Sequence, residues 1–201
     1  MRFPAVTASI GGGYGTIFDL FKGQYIVFDK VYLEKQLDNI IPDVIIEING
    51  KKMLIEIAVT HFIDETKKVK IRDLNISALE INLSKLDRQI TLVELENILI
   101  DSLENKKWIH NTKQEAFRNQ IKRFGKELYV VERGLASHID YCPLSARVWK
   151  GKPYANFMND CIYCEYFFDV RTNEHGSKTH ITCVGHAKKQ ITEIVKKYKK
   201  D

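Results

Sequence analysis

Apolar positions along the chain recur with two spacings. YIVFDKVYL, from Tyr25, is dense in β-branched and aromatic residues and predicts a strand. DVIIEI and MLIEIAV predict two more, joined by Asn49-Gly50, the strongest short signal for a hairpin. DETKKVKIRDLN then predicts a helix with Asp64 as its N-cap, and SALEINLS a fourth strand. The order strand, strand, strand, helix, strand describes a mixed α/β core. TLVELENILIDSLEN predicts an amphipathic helix through Leu92, Leu95, Ile98, Leu99 and Leu103. KQEAFRNQIKRFGKEL predicts another, with Arg118, Lys122, Arg123 and Lys126 around its apolar stripe.

The pattern weakens at both ends. Residues 1–22 hold Gly11, Gly12, Gly13 and Gly15, and suggest a flexible lead-in in which IFDLF starts a short helix. No Gly-Lys-Ser/Thr follows those glycines, so they do not spell a phosphate-binding loop. Beyond a boundary expected near Leu135–His138 the composition turns to Cys, aromatic and Gly residues. The expected division is a lead-in or reduced first helix at 1–22, a core at 23–111 and a basic connecting helix at 112–137, then a cysteine module at 138–187 and a basic helix or tail at 188–201.

Composition narrows the function classes. The 201 residues are 44% hydrophobic and 28% charged, as in a globular protein. No apolar run approaches the roughly 18–20 residues that span a bilayer, and the N-terminus lacks a secretory pattern. A cytoplasmic protein with no membrane partner is expected. The net charge of +5 suits a polyanionic partner. Lys188, Lys189, Lys196, Lys197, Lys199 and Lys200 concentrate positive charge at the C-terminus, as a solvated helix end or a phosphate contact.

The hairpin fixes a register. With a two-residue turn at Asn49-Gly50, facing residues sum to 99, which sets Asp43 opposite Glu56. Side chains so paired have Cβ atoms about 4.5–5.5 Å apart on one face. Two carboxylates there repel, and the apolar neighbours Ile41, Ile45, Leu54 and Ala58 worsen their desolvation. A divalent cation such as Mg²⁺ or Mn²⁺ removes the conflict; otherwise the pair is a solvated feature of a hairpin.

Pro42-Asp43, then Glu56 on the next strand, then helix and strand, resembles the PD-(D/E)XK nuclease superfamily. The longer string IPDVII…LIEIAVTHFIDETKKVKI…ALEINLS is similar to its competence-protein (CoiA-like) branch, over about residues 25–111 including KKWIHN. The resemblance implies a restriction-endonuclease-like mixed sheet with flanking helices and a C-terminal zinc-ribbon-like module. It also implies a metal-dependent nuclease acting on DNA, with Asp43 and Glu56 as metal ligands. Where that superfamily carries its lysine, this chain has Ala58; Lys67 in Asp-x-x-Lys is the candidate replacement and Lys70 the reserve. The family's first helix with a further glutamate is absent or reduced, and Glu34 is a candidate acid. His61 is read as a general base, a phosphate contact or a lock on the strand-to-helix turn. Strict alternation, if the strand runs that far, faces it away from Glu56.

Cys161-Ile-Tyr-Cys164 is a knuckle, with Cys142 and Cys183 lying 19 residues before and after it. Four thiolates make a closed structural zinc site; His186 is an alternative ligand that would leave Cys142 spare, and an iron–sulfur cluster is a second chemistry. Trp149, Tyr154, Phe157, Tyr163, Tyr166, Phe167 and Phe168 would cover a small core or stack on bases. The competing function is a nucleic-acid-binding zinc-ribbon protein with a non-catalytic core. Oligomeric state is left open.

Overall fold

The computed structural model describes residues 1–11, 17–87, 89–172 and 179–198. Gly12, Gly13, Gly15, Lys199 and Lys200 lie outside the described residues. The chain is mixed α/β, rich in strands, and divides into two compact units: residues 1–6 with 22–115, and residues 7–21 with 116–201. Among the described residues no helix is long and apolar enough to cross a membrane.

The first unit opens with β1 (Arg2–Phe3). Strands β2 (Val6–Ser9) and β3 (Ile17–Phe21) pair with each other; all but Val6 of them belongs to the second unit. IFDLF is therefore a strand and not the start of a helix, and the described residues of the 1–22 span hold β1, β2 and β3. The glycine cluster misleads in part because Gly11 serves close packing. A Cβ there would stand 2.8–2.9 Å from the carbonyl oxygens of Cys164, Glu165 and Phe167.

β4 (Gln24–Tyr25) pairs with β1, and β5 (Lys30–Leu33) joins the main sheet, so YIVFDKVYL is two short strands. Asp29 marks the break: its amide donates to the Glu47 carbonyl and its carboxylate accepts from the Asn49 amide. The sheet continues with β6 (Val44–Ile48), β7 (Lys51–Ala58), β8 (Ala78–Asn82) and β9 (Lys106–His110), in the order β5-β6-β7-β8-β9. Ile48 faces Lys51 and Val44 faces Ile55, the expected register. Helix α1 (Glu65–Asp73) crosses between β7 and β8, which are therefore parallel. Its Ile71 packs with Ile40, Ile45, Leu54 and Ala78 on one face of the sheet. Phe3, Ile46, Met53, Ile55, Leu79 and Ile81 fill the other, where Leu99 of α2 (Leu92–Ile100) covers them. Thr91 and Glu94 close a reciprocal capping box on α2.

The longer segment of the second unit begins within α3 (Thr112–Lys122) rather than near Leu135–His138. The helix stops before Gly125, and Lys126–Leu128, expected to be helical, open β10 (Lys126–Arg133). Alternation wins there, with Leu128 and Val130 turned toward a buried core. Strands β11 (Ala136–Asp140), β12 (Arg147–Trp149), β13 (Lys152–Asn156), β14 (Phe167–Thr172) and β15 (Thr179–Cys183) complete a six-stranded sheet ordered β12-β13-β11-β10-β15-β14. One π-helical turn spans Phe157–Cys161, and α4 (Lys188–Tyr198) buries Ile191 and Ile194.

Candidate carboxylate and lysine site

Three acids come from three consecutive parts of one sheet. Asp43 immediately precedes β6, Glu56 lies in β7, and Glu80 stands beside Glu56 in the parallel register of β8. All three line a cavity of about 270 Å³ together with His61, Asp64 and Lys67. The Asp43 carboxylate accepts from the Ile57 amide at 2.6 Å, which holds it across the hairpin. Glu80 Oε2 accepts from the Ile63 amide at 3.1 Å and so tethers the turn leading into α1.

The cation arrives from that helix. Asp64 caps α1 by accepting from the Lys67 amide at 2.7 Å, placing Lys67 in the first turn. Helical side chains lean toward the N-terminus. Lys67 Nζ accordingly reaches back to Glu56 Oε2 at 2.6 Å and to the Ile41 carbonyl at 3.0 Å. Glu56 is 5% exposed, and its Oε1 is buried with no hydrogen-bond partner. Burial pushes the Glu56 carboxyl above the usual carboxylate range; the bond from Lys67 opposes this and the nearby Asp43 charge adds to it.

Ala58 is buried in the same cavity wall, where a methyl group contributes no charge. β7 ends at Ala58, so strand alternation does not govern His61, which is exposed and lines the cavity. Lys70 turns elsewhere, with Nζ 3.4 Å from the Asn39 carbonyl. Glu34 is exposed at a positive φ of 46° and does not line the cavity; its amide donates to the Asp43 carbonyl. The third acid is Glu80 instead. Its signal was a carboxylate between Leu79 and Ile81 in a buried strand, but its neighbour emerges only from the parallel pairing.

In the second unit Cys142, Cys161, Cys164 and Cys183, all free thiols, line a cavity of about 40 Å³. The Tyr166 amide donates to Cys164 Sγ and the Gly185 amide to Cys183 Sγ, each at 3.4 Å. Such bonds favour thiolates. Burial opposes them, pushing Cys161 up to about 12 and Cys183 to about 11, with the other cysteines adding repulsion. His186 is exposed and does not line this cavity, whereas Cys142 does. Tyr166, Phe167 and Phe168 are buried; Trp149 and Tyr163 are exposed. Among the described residues no three or more His, Cys, Asp or Glu side chains are arranged to hold a metal ion. No family model, curated protein or solved structure matches the chain.

Proposed function

We propose that the first unit is a divalent-metal-dependent nuclease hydrolysing phosphodiester bonds of DNA, built as a restriction-endonuclease-like core of the kind its sequence resembles. The observation that carries this reading is the contact of Lys67 with buried Glu56, in a cavity shared with Asp43 and Glu80. A buried carboxylate oxygen without a partner is costly unless something else binds it. Mg²⁺ or Mn²⁺ suits it: such ions take one or two carboxylates and complete their shell with water and phosphate oxygens, so fewer than three protein ligands suffice. Asp43 and Glu56 would hold the ion. When bound, it would polarise the phosphoryl group and acidify a coordinated water.

The chain's own groups do the rest. Lys67, already aimed at Glu56, balances negative charge that builds on the phosphate, as a preorganised cation does. His61, exposed and lining the same cavity, would serve as a phosphate contact or a proton donor to the leaving oxygen. Glu80 keeps the β7–α1 turn, and hence Lys67, in position. The test is nicking of supercoiled plasmid with Mg²⁺ or Mn²⁺, with chelator and Glu56→Gln as controls. Cleavage that survives Glu56→Gln in purified protein overturns the assignment.

For the second unit we propose a structural zinc on Cys142, Cys161, Cys164 and Cys183: the four thiols line one cavity and two already accept amide N–H bonds. Among the described residues they are not drawn together as a metal site, so binding would have to pull them inward. Zinc would replace the protons that burial now favours and staple the cysteine core. A second reading, a binding protein whose core no longer cuts, draws on Ala58 and on the Lys67–Glu56 bond read as a closed ion pair.

A further inference from the structure

The six-stranded sheet has two unlike faces. Pairing of Val130 with Ile139, and of Ile139 with Ala155, directs these residues into the cysteine core. The alternate positions His138, Asp140, Tyr154 and Lys152 lie on the opposite face, with Trp149 paired across from Lys152. There, with Arg133 and Tyr141, they line a cavity of about 430 Å³, within the size range of small-molecule sites.

Its walls are aromatic and cationic. Trp149 is 64% exposed and Tyr141 68%, a large area of ring left in water without structural need. His138 meets Tyr154 edge to face, and its Nδ1 is buried with no hydrogen-bond partner. Asp140, the cavity's one carboxylate, is committed to Arg133 through two 2.7 Å bonds. Those bonds use the edge of the guanidinium and leave its faces for stacking. Lys150 sits 4.7 Å over the Trp149 ring, and among the described residues neither Lys150 nor Lys152 forms an ion pair. The surplus charge is therefore positive, beside rings that any flat aromatic ligand can stack upon.

We propose that this face binds single-stranded nucleic acid, with a base stacked in the cavity beside Trp149 and the flanking phosphates met by Lys150 and Lys152. Stacking on exposed rings with cations at the backbone is how strands are held without sequence readout. A paired base in a duplex presents its edges and not its faces, so the cavity selects unpaired bases. The inference does not depend on cleavage by the first unit.

The experiment uses the full chain carrying Trp108→Phe, so that Trp149 is the reporting tryptophan, and Glu56→Gln, with no divalent metal added. Titration with an oligothymidylate of about twelve nucleotides should quench Trp149 emission saturably, and less at higher salt. Anisotropy of the labelled strand should show binding weakened at least about tenfold by Trp149→Ala and several-fold by Lys152→Gln. Circular dichroism checks that these exposed substitutions leave the fold unchanged. Absence of binding overturns the proposal. So does a duplex or a thymidine mononucleotide binding as tightly, or quenching by a proline-rich peptide in place of the strand. If the parent protein nicks plasmid while the titrated variant fails to bind, this inference alone is lost; if the variant binds while the parent never cuts, the nuclease reading alone is lost.

Discussion

Lys67 donates to one oxygen of the Glu56 carboxylate at 2.6 Å while the other oxygen, Oε1, is buried without a partner. One oxygen of the carboxylate thus meets a cation while the other is buried with its hydrogen-bonding capacity unused. If the nuclease reading holds, Lys67→Ala should slow cleavage by at least about 10²-fold, the scale for losing one preorganised charge. Lys70→Ala, whose Nζ faces Asn39, should change it far less. Single-turnover nicking rates at saturating Mn²⁺ separate the two, and near-parental cleavage by Lys67→Ala sinks the role given to that lysine.

Glu56 should also leave a pH signature in the metal-free protein. Its pKa is raised on folding, chiefly by burial. The sign follows: ionised Glu56 costs stability above its folded pKa, and the cost disappears as pH falls toward the unfolded value near 4.3. Glu56→Gln should therefore resist denaturant better than the parent at neutral pH, with the difference shrinking in acid. Trp108, half-buried in the first unit, reports the transition in a Trp149→Phe background.

Glu80 holds the Ile63 amide. If its work is to fix the turn before α1, Glu80→Gln keeps an acceptor and should retain most activity, while Glu80→Ala should lose about tenfold, in line with an amide left unpaired. Equal loss in both variants would instead assign Glu80 to the metal.

The thiol cluster makes a stoichiometric prediction. Purified protein should carry about one zinc per chain by elemental analysis, and Cys161→Ser or Cys164→Ser should release it and loosen the second unit. With Cys161 and Cys183 pushed up to about 12 and 11 without metal, zinc uptake must expel protons, so affinity should fall as the solution is acidified. Iron in place of zinc, or no metal at all, overturns the zinc assignment.

Gly11 offers a test of packing in the second unit. Gly11→Ala would push a methyl against three backbone carbonyls that have no side-chain freedom to yield. A loss of about 1–3 kcal/mol is expected, the usual scale of overpacking, read as earlier unfolding of the Trp149 signal.

The parts of the fold that were legible in sequence are those fixed by local chemistry. Asn49-Gly50 set the register of β6 and β7, Asp64 marked the start of α1, and the first-turn position of Lys67 followed from that cap. Glu80 was not legible, because its place beside Glu56 depends on a parallel pairing that no turn residue announces. The N-terminal strands were missed for a related reason. Glycine signals both freedom and tight contact, and only the neighbouring carbonyls distinguish them at Gly11. At Lys126–Leu128 a helical stripe and a strand alternation overlap, and pairing with Cys183 and Ile181 decides for the strand.

Glu56 and Glu80 hang from adjoining strands and Asp43 stands just before a third, tied to the Ile57 amide, so the distances among them are inherited from a ladder of strands about 4.8 Å apart. Spacing of that origin is quantised. Substitutions in the surrounding apolar core can erode how long the protein survives heating while leaving the acids where they are. Adding or deleting one residue in the loop at Asn49-Gly50 does the reverse: it shifts the ladder by a whole rung, and at a single stroke sends Asp43 to the far side of the sheet.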